Sequence, residues 1–338
     1  MSHGEAGPVP YSLYVYAPNK IAPAVFAGLY AISTVGHAYQ CYRYKAWKLV
    51  GLHAACAFLF TAGYAFREFG AFHYSYFEDL DLIMFILSQV FIYICPPILE
   101  LINYNILGHI FYYAPYIAPF PPGKVLSVFG LLMLFVETLN GLGVSFSSNP
   151  KSQPTIQKMG GHLTIAALSI QFVLIVTFIA LSAVFHWRFV KLKLPSRVIS
   201  TLLPVLYASM LLIFIRCIYR LIEHTGHTAV DLSDFDSLKD LSPILRYEVF
   251  FYIFEATLML INSVIWNIWN PARFLPADYH TYLAQDGSGE THADVNDERT
   301  RAQKIGAKLT IGLFFRNKED QGYWELKENL THAHAVQA

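Results

Sequence analysis

The sequence predicts an all-α membrane protein, a seven-transmembrane helix bundle, and two observations lead to that fold class. Hydrophobic residues make up 55% of the 338 residues and charged residues only 14%, whereas a soluble domain carries roughly a quarter charged residues. Seven stretches are long and apolar enough to cross a hydrocarbon core as a helix, which takes about 20 residues. The formal net charge of zero gives no indication of a nucleic-acid partner.

The seven predicted spans follow one another with short connections that hold turn-forming residues, such as PFPPGK and SSNPKSQP on either side of the fourth span. They cover residues 21–41, 47–66, 82–104, 125–146, 162–185, 201–222 and 247–267. The first twenty residues lack the basic-then-apolar order of a cleaved signal peptide, so we expect the first span to act as the insertion signal.

Basic residues are unevenly distributed between the loops, and this sets the expected orientation. The loops after the first, third and fifth spans hold eight lysines and arginines, against about five in the other loops. Because basic loops stay on the cytoplasmic side, we predict an outside N-terminus and a cytoplasmic C-terminus. The chain then divides into an extracellular segment 1–20, a membrane domain 21–271 and a largely flexible cytoplasmic tail 272–338.

The tail contains two features with alternative interpretations. Residues 309–315 are apolar between Lys308 and Arg316, which fits a helix on the membrane surface and a weak strand equally well. Asn329-Leu330-Thr331 matches a glycosylation acceptor, and the match is accidental if the tail is cytoplasmic.

Motifs for common enzymatic and cofactor chemistry are absent from the sequence. It has no GxxxxGKS/T phosphate loop, no HExxH zinc motif and no GxSxG nucleophile elbow. The four cysteines lie singly within apolar segments, which indicates buried thiols and neither a disulfide nor a metal framework. We therefore expect a protein that is not an enzyme and that holds no metal and no cofactor.

Two arginines and a glutamate lie on one face of the sixth span, in the run LLIFIRCIYRLIE. The spacing of Arg216, Arg220 and Glu223 is four and then three residues, which puts the three side chains on one stripe of a helix. An arginine deep in a membrane costs roughly 3 kcal/mol on insertion scales unless it is paired or hydrated. The stripe therefore predicts either ion pairs inside the bundle or a hydrated path.

Polar residues recur at helical spacing in other spans, and with this stripe they form what we call the polar ladder. Two interpretations compete for it: ion pairs that fix the register of the helices, or a path for a cation, a proton or the ammonium group of an amphiphile. Its members are Arg67, Arg216, Arg220, Glu223 and Glu248 in the predicted outer half, Glu137 and Glu255 near the middle, Gln89 in the third span, and His37, Gln40 and Glu100 in the inner half.

Six sequence segments, in order, carry a resemblance to a known family. They are YAPNKIAPAVF with HAYQCYRYKAW, AGYAFRE, SQVFIYICPPILELINYNILGHI, IQFVLIVTF with VFHWR, IFIRCIYRLIE, and RYEVFFYIFEATLMLIN with Asn270-Pro271. The chain resembles the fungal RTA-like proteins, also called the lipid-translocating exporters, over about residues 14–271. It departs from the usual family pattern at Phe60, His109, Glu137 and Asn270.

The resemblance implies a seven-helix protein of the plasma membrane, or of a vacuolar or other internal membrane. Members of the family are linked to export of sphingoid long-chain bases, to resistance to amphiphilic toxins and to membrane-stress responses. Its implied partners are membrane lipids or amphiphiles, together with a possible cytoplasmic partner of the tail.

Two hypotheses for function follow. The first is a translocator of lipid or amphiphile, not driven by ATP, or a regulator of lipid asymmetry. In the translocator the glutamates of the polar ladder neutralise an amine headgroup. In it Glu137 and Glu255 are midplane stations; Arg216, Arg220 and Glu223 form an outer-side lock, and His37, Gln40 and Glu100 an inner entrance. The second is a seven-helix receptor or stress sensor that signals through its tail. An intramembrane enzyme is a third hypothesis, which bound zinc would support.

Overall fold

Long helices dominate the protein, because a helix satisfies the backbone polar groups of a long apolar segment within the segment itself. The computed structural model describes residues 12–14, 16–73, 78–147, 154–225, 243–276, 281–284 and 290–292. The first six long helices are α1 Ala22–Tyr44, α2 Trp47–Phe72, α3 Asp79–Tyr113, α4 Pro122–Ser147, α5 Pro154–Lys191 and α6 Arg197–Thr225. They contain the first six predicted spans except for Ile21, which precedes α1.

The last membrane segment is broken into pieces. A short helix α7, Pro243–Arg246, precedes α8, Glu248–Phe251, which continues through a π-helical turn, Tyr252–Thr257, into α9, Leu258–Ile268. A 3₁₀ turn, Pro271–Arg273, follows. We refer to Glu248–Arg273 as the seventh span.

In the described part of the chain, six helical segments are long and apolar enough to cross a membrane, which confirms an all-α membrane protein. They are Leu49–Phe72, Asp79–Tyr113, Pro122–Ser147, Thr155–Lys191, Arg197–Thr225 and Glu248–Arg273. Helix α1 is not among them, although its 23 residues correspond to about 35 Å. It does expose Ile32, Val35 and Tyr39 by 65–72%. The count of seven spans and the orientation of the termini stay predictions.

The helices pack largely in sequence order, and the seventh span closes the bundle. Neighbours from α1 to α6 contact one another in turn, while the seventh span packs against α1, α2 and α6. Helix α3 also reaches α6 and continues through Pro96 and Pro97. This arrangement places the seventh span beside the arginines of α6, so it positions the candidate site.

Two glycines let α4 and α5 approach closely. A Cβ on Gly143 would lie 2.7 Å from the Thr164 nitrogen and 2.9 Å from the Gly160 oxygen, and a Cβ on Gly160 would lie 2.6 Å from the Gly143 oxygen. Gly141, two residues earlier on α4, has nothing within 4 Å of such a Cβ. The contact is therefore a small-residue crossing of the kind found in membrane helix pairs.

A short β-hairpin in the tail docks on the end of α3, which the sequence did not predict. Strand β1, Thr281–Leu283, pairs antiparallel with β2, Glu290–His292. The Tyr113 hydroxyl donates to Glu290 Oε1 at 3.1 Å, and the Tyr116 hydroxyl donates to the Ala284 carbonyl at 3.0 Å. Residues 309–315 and the acceptor at 329–331 lie outside the described residues.

Candidate functional site

The centre of the site is an ion pair between α6 and the π-helical turn of the seventh span. Arg216 Nε donates to Glu255 Oε1 at 2.8 Å. Both residues are buried, with 4% and 0% of their surface exposed. The second oxygen of Glu255 finds no hydrogen-bond partner among the described residues, so the carboxylate is only half satisfied by protein.

The π-helical turn gives Glu255 its position. Such a turn closes hydrogen bonds one residue wider than an α-helix, which disturbs the normal pairing of backbone carbonyls. The Tyr30 hydroxyl on α1 donates to the Ala256 carbonyl at 3.0 Å, and the Thr257 hydroxyl donates to the Tyr252 carbonyl at 2.7 Å. Side chains therefore stabilise the irregular backbone that carries the central carboxylate, a feature common at functional sites.

A second charged group lies further along α6. Arg220 pairs with Glu223 at 2.6 Å, donates to His224 Nε2 at 3.1 Å and lies 4.2 Å from the Tyr93 ring centroid on α3. Arg220 and Glu223 are half-buried. The predicted stripe of Arg216, Arg220 and Glu223 thus exists, but its two arginines take different partners.

Glu100 lies in a separate buried group between α3 and α5. The Tyr104 hydroxyl and Gln171 Nε2 both donate to its carboxylate, the latter at 2.8 Å. Glu100 interacts electrostatically with Arg216 and with Glu137. Glu100 therefore lies within electrostatic reach of the central ion pair. In the described part of the chain it makes no hydrogen bond to His37 or Gln40, the other residues of the predicted inner entrance.

Glu137 lies on α4 next to exposed apolar side chains. It is half-buried on α4, bonds Asn140 and lies within electrostatic reach of Arg216. Its chain neighbours Leu134 and Phe135 are 61% and 56% exposed. In a bilayer these side chains contact lipid tails, so Glu137 connects the lipid-facing surface with the buried arginine.

A third polar group surrounds Arg67, at the end of the bundle that we predict to lie outside the cell. It pairs with Glu248 at 3.0 Å, donates to the Tyr16 hydroxyl at 3.0 Å and to the Tyr252 hydroxyl at 3.4 Å. Its guanidinium lies 4.1 Å from the Phe251 ring centroid. The arginine is 1% exposed, so its charge is balanced almost entirely by these neighbours.

The N-terminal segment covers this end of the bundle. The Asn19 backbone nitrogen donates to Glu248 Oε2 at 2.7 Å, and the Tyr14 ring packs edge-on against Phe85. A Cβ on Gly70 would overlap the Tyr14 hydroxyl. Burial raises the pKa of the Tyr14 phenol to about 12 and raises that of Tyr16 as well, so both stay neutral next to Arg67.

His37 and Gln40 belong to a hydrogen-bonded group at the opposite end, which we call the Gln40 end. His37 Nε2 lies 3.3 Å from the Ser263 hydroxyl, and Gln40 Nε2 donates to the Asn267 carbonyl at 2.8 Å. Asn270 donates to the Gln40 side-chain oxygen. His37 and Gln40, two residues of the predicted inner entrance, therefore both bond the seventh span.

The residues of the polar ladder therefore form separate groups and not one continuous line across the bundle. Gln89 is half-buried on α3 and is not hydrogen-bonded to any of these groups in the described part of the chain. Sequence reasoning gave no role to Tyr16, Tyr30, Ser263 or Asn267, and a single sequence carries no signal for such tertiary partners. The four cysteines are buried free thiols, in line with the expectation from their spacing.

Comparison with known protein families shows which family this chain belongs to. The profile of the family described as RTA1 like protein matches residues 53–278, a range that begins within α2 and includes the seventh span. This chain belongs to the RTA1-like family. No solved structure shows a significant match to it.

Curated relatives of this RTA1-like protein carry names that refer to lipid transport. The lipid-translocating exporter-like protein RTA1 of Leptosphaeria maculans is 49% identical over 327 residues, which is 95% of this chain and 63% of that protein. A protein with the same name from Ajellomyces capsulatus is 28% identical over 70% of this chain and 75% of the relative. The probable lipid transporter atnI of Emericella nidulans is 23% identical over 78% and 68%.

Proposed function

We propose that this protein moves a lipid or amphiphile with an amine headgroup, such as a sphingoid base, across the plasma membrane and is not an enzyme. The names of its relatives support a role in lipid transport. Because the chain spans only 63% of the length of the Leptosphaeria relative, activity and substrate are argued from the site itself.

An excess of carboxylates over arginines in the membrane-embedded part of the site carries this proposal. Four glutamates surround two arginines there, namely Glu100, Glu137, Glu223 and Glu255 around Arg216 and Arg220. Arg67 and Glu248 balance each other separately. Buried carboxylates without a counter-ion take up a proton or attract a cation, and a positively charged headgroup is a cation that this site would stabilise.

The position of Glu137 supports access from the side of the bundle. An ammonium group offers three hydrogen-bond donors, and a half-buried carboxylate on a lipid-facing helix can accept one while the acyl tail stays in the bilayer. From Glu137 the headgroup would move towards Arg216 and Glu255. The ion pair there would loosen as the ammonium replaces the guanidinium at the carboxylate.

A reconstituted flip assay tests the proposal. Liposomes containing the purified protein receive a fluorescent sphingoid base or a fluorescent phosphatidylcholine, and quenching from outside reports movement between leaflets. We expect the base to move faster than in empty liposomes, and Glu137→Gln and Glu255→Gln to slow it. Asp79→Asn, at an exposed position at the start of α3, is the control. Wild-type protein that is folded and moves neither lipid would refute the proposal.

A receptor or stress sensor is the second candidate, and the docked β-hairpin favours it. The hydrogen bonds of Tyr113 and Tyr116 attach the tail to the end of α3, which would let a change in helix packing reach a cytoplasmic partner. Removal of the tail separates the two candidates, because a sensor would lose its output and a translocator would keep its flip activity.

A further inference from the structure

Two histidines outside the charged groups stack face to face between α1 and α2. The ring centroids of His37 and His53 are 5.3 Å apart, with the planes inclined by 20°. The two residues are 1% and 2% exposed. On its other side the His53 ring lies 5.5 Å from the Trp266 ring of α9, so the pair is enclosed by three helices.

Polar atoms of both histidines, and of Asn262 on the helix that carries Trp266, have no hydrogen-bond partner among the described residues. Neither ring nitrogen of His53, nor Nδ1 of His37, is hydrogen-bonded to any described residue. The side-chain amide of Asn262, one turn before Trp266, is fully buried and equally unpartnered at both its oxygen and its nitrogen. Each buried polar group left unsatisfied costs about 1–3 kcal/mol, and such groups normally hold internal water. A cluster of them marks a place built for a small polar species.

Charged groups do not contact the two rings in the described part of the chain. Each ring contacts the other, and the seventh span contributes Ser263 against His37 and Trp266 against His53. On the buried faces of α1 and α2, the titratable residues within one turn of the pair are thiols, Cys41 and Cys56, and Cys95 of α3 faces Cys56. Glu255 is eight residues from Ser263 and is paired with Arg216. A positive charge on the pair would therefore meet no fixed counter-charge and would be transient.

Hydroxyl groups connect the pair to the Gln40 end. From His37 Nε2 the path passes to the Ser263 hydroxyl at 3.3 Å and then to the Ser33 hydroxyl at 2.6 Å. The Asn267 amide donates to Ser33 Oγ at 2.7 Å, and the Asn267 carbonyl accepts from Gln40. Hydroxyls can both accept and donate a proton, and the side chain and backbone of Asn267 join Ser33 to Gln40, so hydrogen bonds connect the buried rings to that end of the bundle.

We propose that the His37–His53 pair binds a proton taken up from the Gln40 end and that this proton is the co-substrate of lipid movement, so that a pH gradient drives transport. The inference rests on the proposed function. On uptake, a hydronium ion gives its proton to a ring nitrogen and leaves as water; on release, water accepts the proton back. An imidazole ring nitrogen can accept and release a proton, and the Trp266 ring, 5.5 Å from the His53 ring, would attract the resulting cation.

Tryptophan fluorescence tests proton binding without any lipid. The difference in emission between wild-type protein and Trp266→Phe is the emission of Trp266. An imidazolium beside an indole quenches the indole's emission, so this difference should fall as the pH is lowered. We expect this quenching to be lost in His53→Gln and kept in His162→Gln, which changes an exposed histidine of α5. Trp266 emission that is independent of pH in the folded wild-type protein would overturn the proton site.

Liposomes with a pH gradient test the coupling. We expect wild-type protein to move a fluorescent sphingoid base several-fold faster with the gradient than without it, and His53→Gln to lose that acceleration. His37→Gln, whose amide can still reach Ser263, serves as a second variant if His53→Gln does not fold. Movement that is equal with and without a gradient would overturn the coupling and leave the proposed function standing. If no lipid moves, the proposed function and the coupling fail together, while the fluorescence result still decides the proton site.

Discussion

Arg216 and Glu255 are 39 residues apart in the chain and form a hydrogen-bonded ion pair of 2.8 Å in the middle of the bundle. The pair joins α6 to the π-helical turn of the seventh span. Because nothing else in the described chain satisfies the second carboxylate oxygen, the contact fixes two helices and leaves one acceptor free for a ligand.

Removal of one partner of this pair should destabilise the protein strongly. Arg216→Ala leaves Glu255 buried without its counter-charge, and such changes cost about 3–5 kcal/mol. The measurement is thermal unfolding in detergent with a thiol-reactive dye that reports exposure of the four buried cysteines. The double change to leucine at both positions should recover most of the loss. A single Arg216→Ala variant as stable as wild type would contradict the pairing.

Two neighbouring tyrosines should respond differently to loss of the hydroxyl. Tyr30 and Tyr64 are both fully buried and stack at 5.4 Å. Tyr30→Phe removes the hydrogen bond to the Ala256 carbonyl, which should cost about 1–3 kcal/mol since a buried acceptor is left unpaired. The Tyr64 hydroxyl has no partner among described residues, so Tyr64→Phe should be neutral or stabilising. Equal melting temperatures for the two variants would argue against the role of Tyr30 at the π-helical turn.

The glycine crossing between α4 and α5 should tolerate no side chain. Gly143→Ala puts a methyl group against the backbone of Gly160 and Thr164, and we expect a loss of about 1–3 kcal/mol from overpacking. Gly141→Ala is the matched control, because its methyl group meets nothing within 4 Å and alanine favours the helix by roughly 0.5–1 kcal/mol. Thermal unfolding of both variants in one detergent gives the comparison, and a stable Gly143→Ala variant would show that the helices separate there.

Arg67 should not be replaceable by lysine. Its guanidinium donates to Glu248, Tyr16 and Tyr252 at once, whereas an ammonium group keeps the charge without the planar fork. We expect Arg67→Lys to lose about 1–3 kcal/mol and to make the N-terminal segment more accessible to protease. Arg273→Lys, at an exposed arginine that bonds Tyr44, should change neither property. Unchanged protection of the segment in Arg67→Lys would mean that Arg67 does not hold it.

Truncation after Pro276 should leave lipid movement largely intact. The cut removes the β-hairpin and everything after it, while all described contacts among the helices and the polar ladder remain. Flip rates of truncated and full-length protein, compared at equal reconstituted amounts, give the measurement. Loss of activity with an unchanged melting temperature would favour the sensor hypothesis over the translocator.

The sequence alone predicted the parts of this protein that obey local rules. A helix is the way for a single chain segment to satisfy its backbone inside a bilayer, so the apolar runs predicted the long helices and their approximate bounds. Charged residues within such runs are costly, so Arg216 and Glu255 stood out without any structure. Spacing also predicted correctly that Arg220 and Glu223 share a face and lie within reach of each other.

Only the tertiary structure decided the partners. The choice of Glu255 as the partner of Arg216 depends on the order, rotation and depth of separate helices. The same holds for the bond of Glu100 to Gln171 instead of to the inner group, and for the stacking of His53 on His37. These are set by packing between side chains far apart in the chain, such as the contact of α4 with α5 at Gly143. A periodic pattern predicts which face of a helix is buried, but it does not predict which other helix packs against that face.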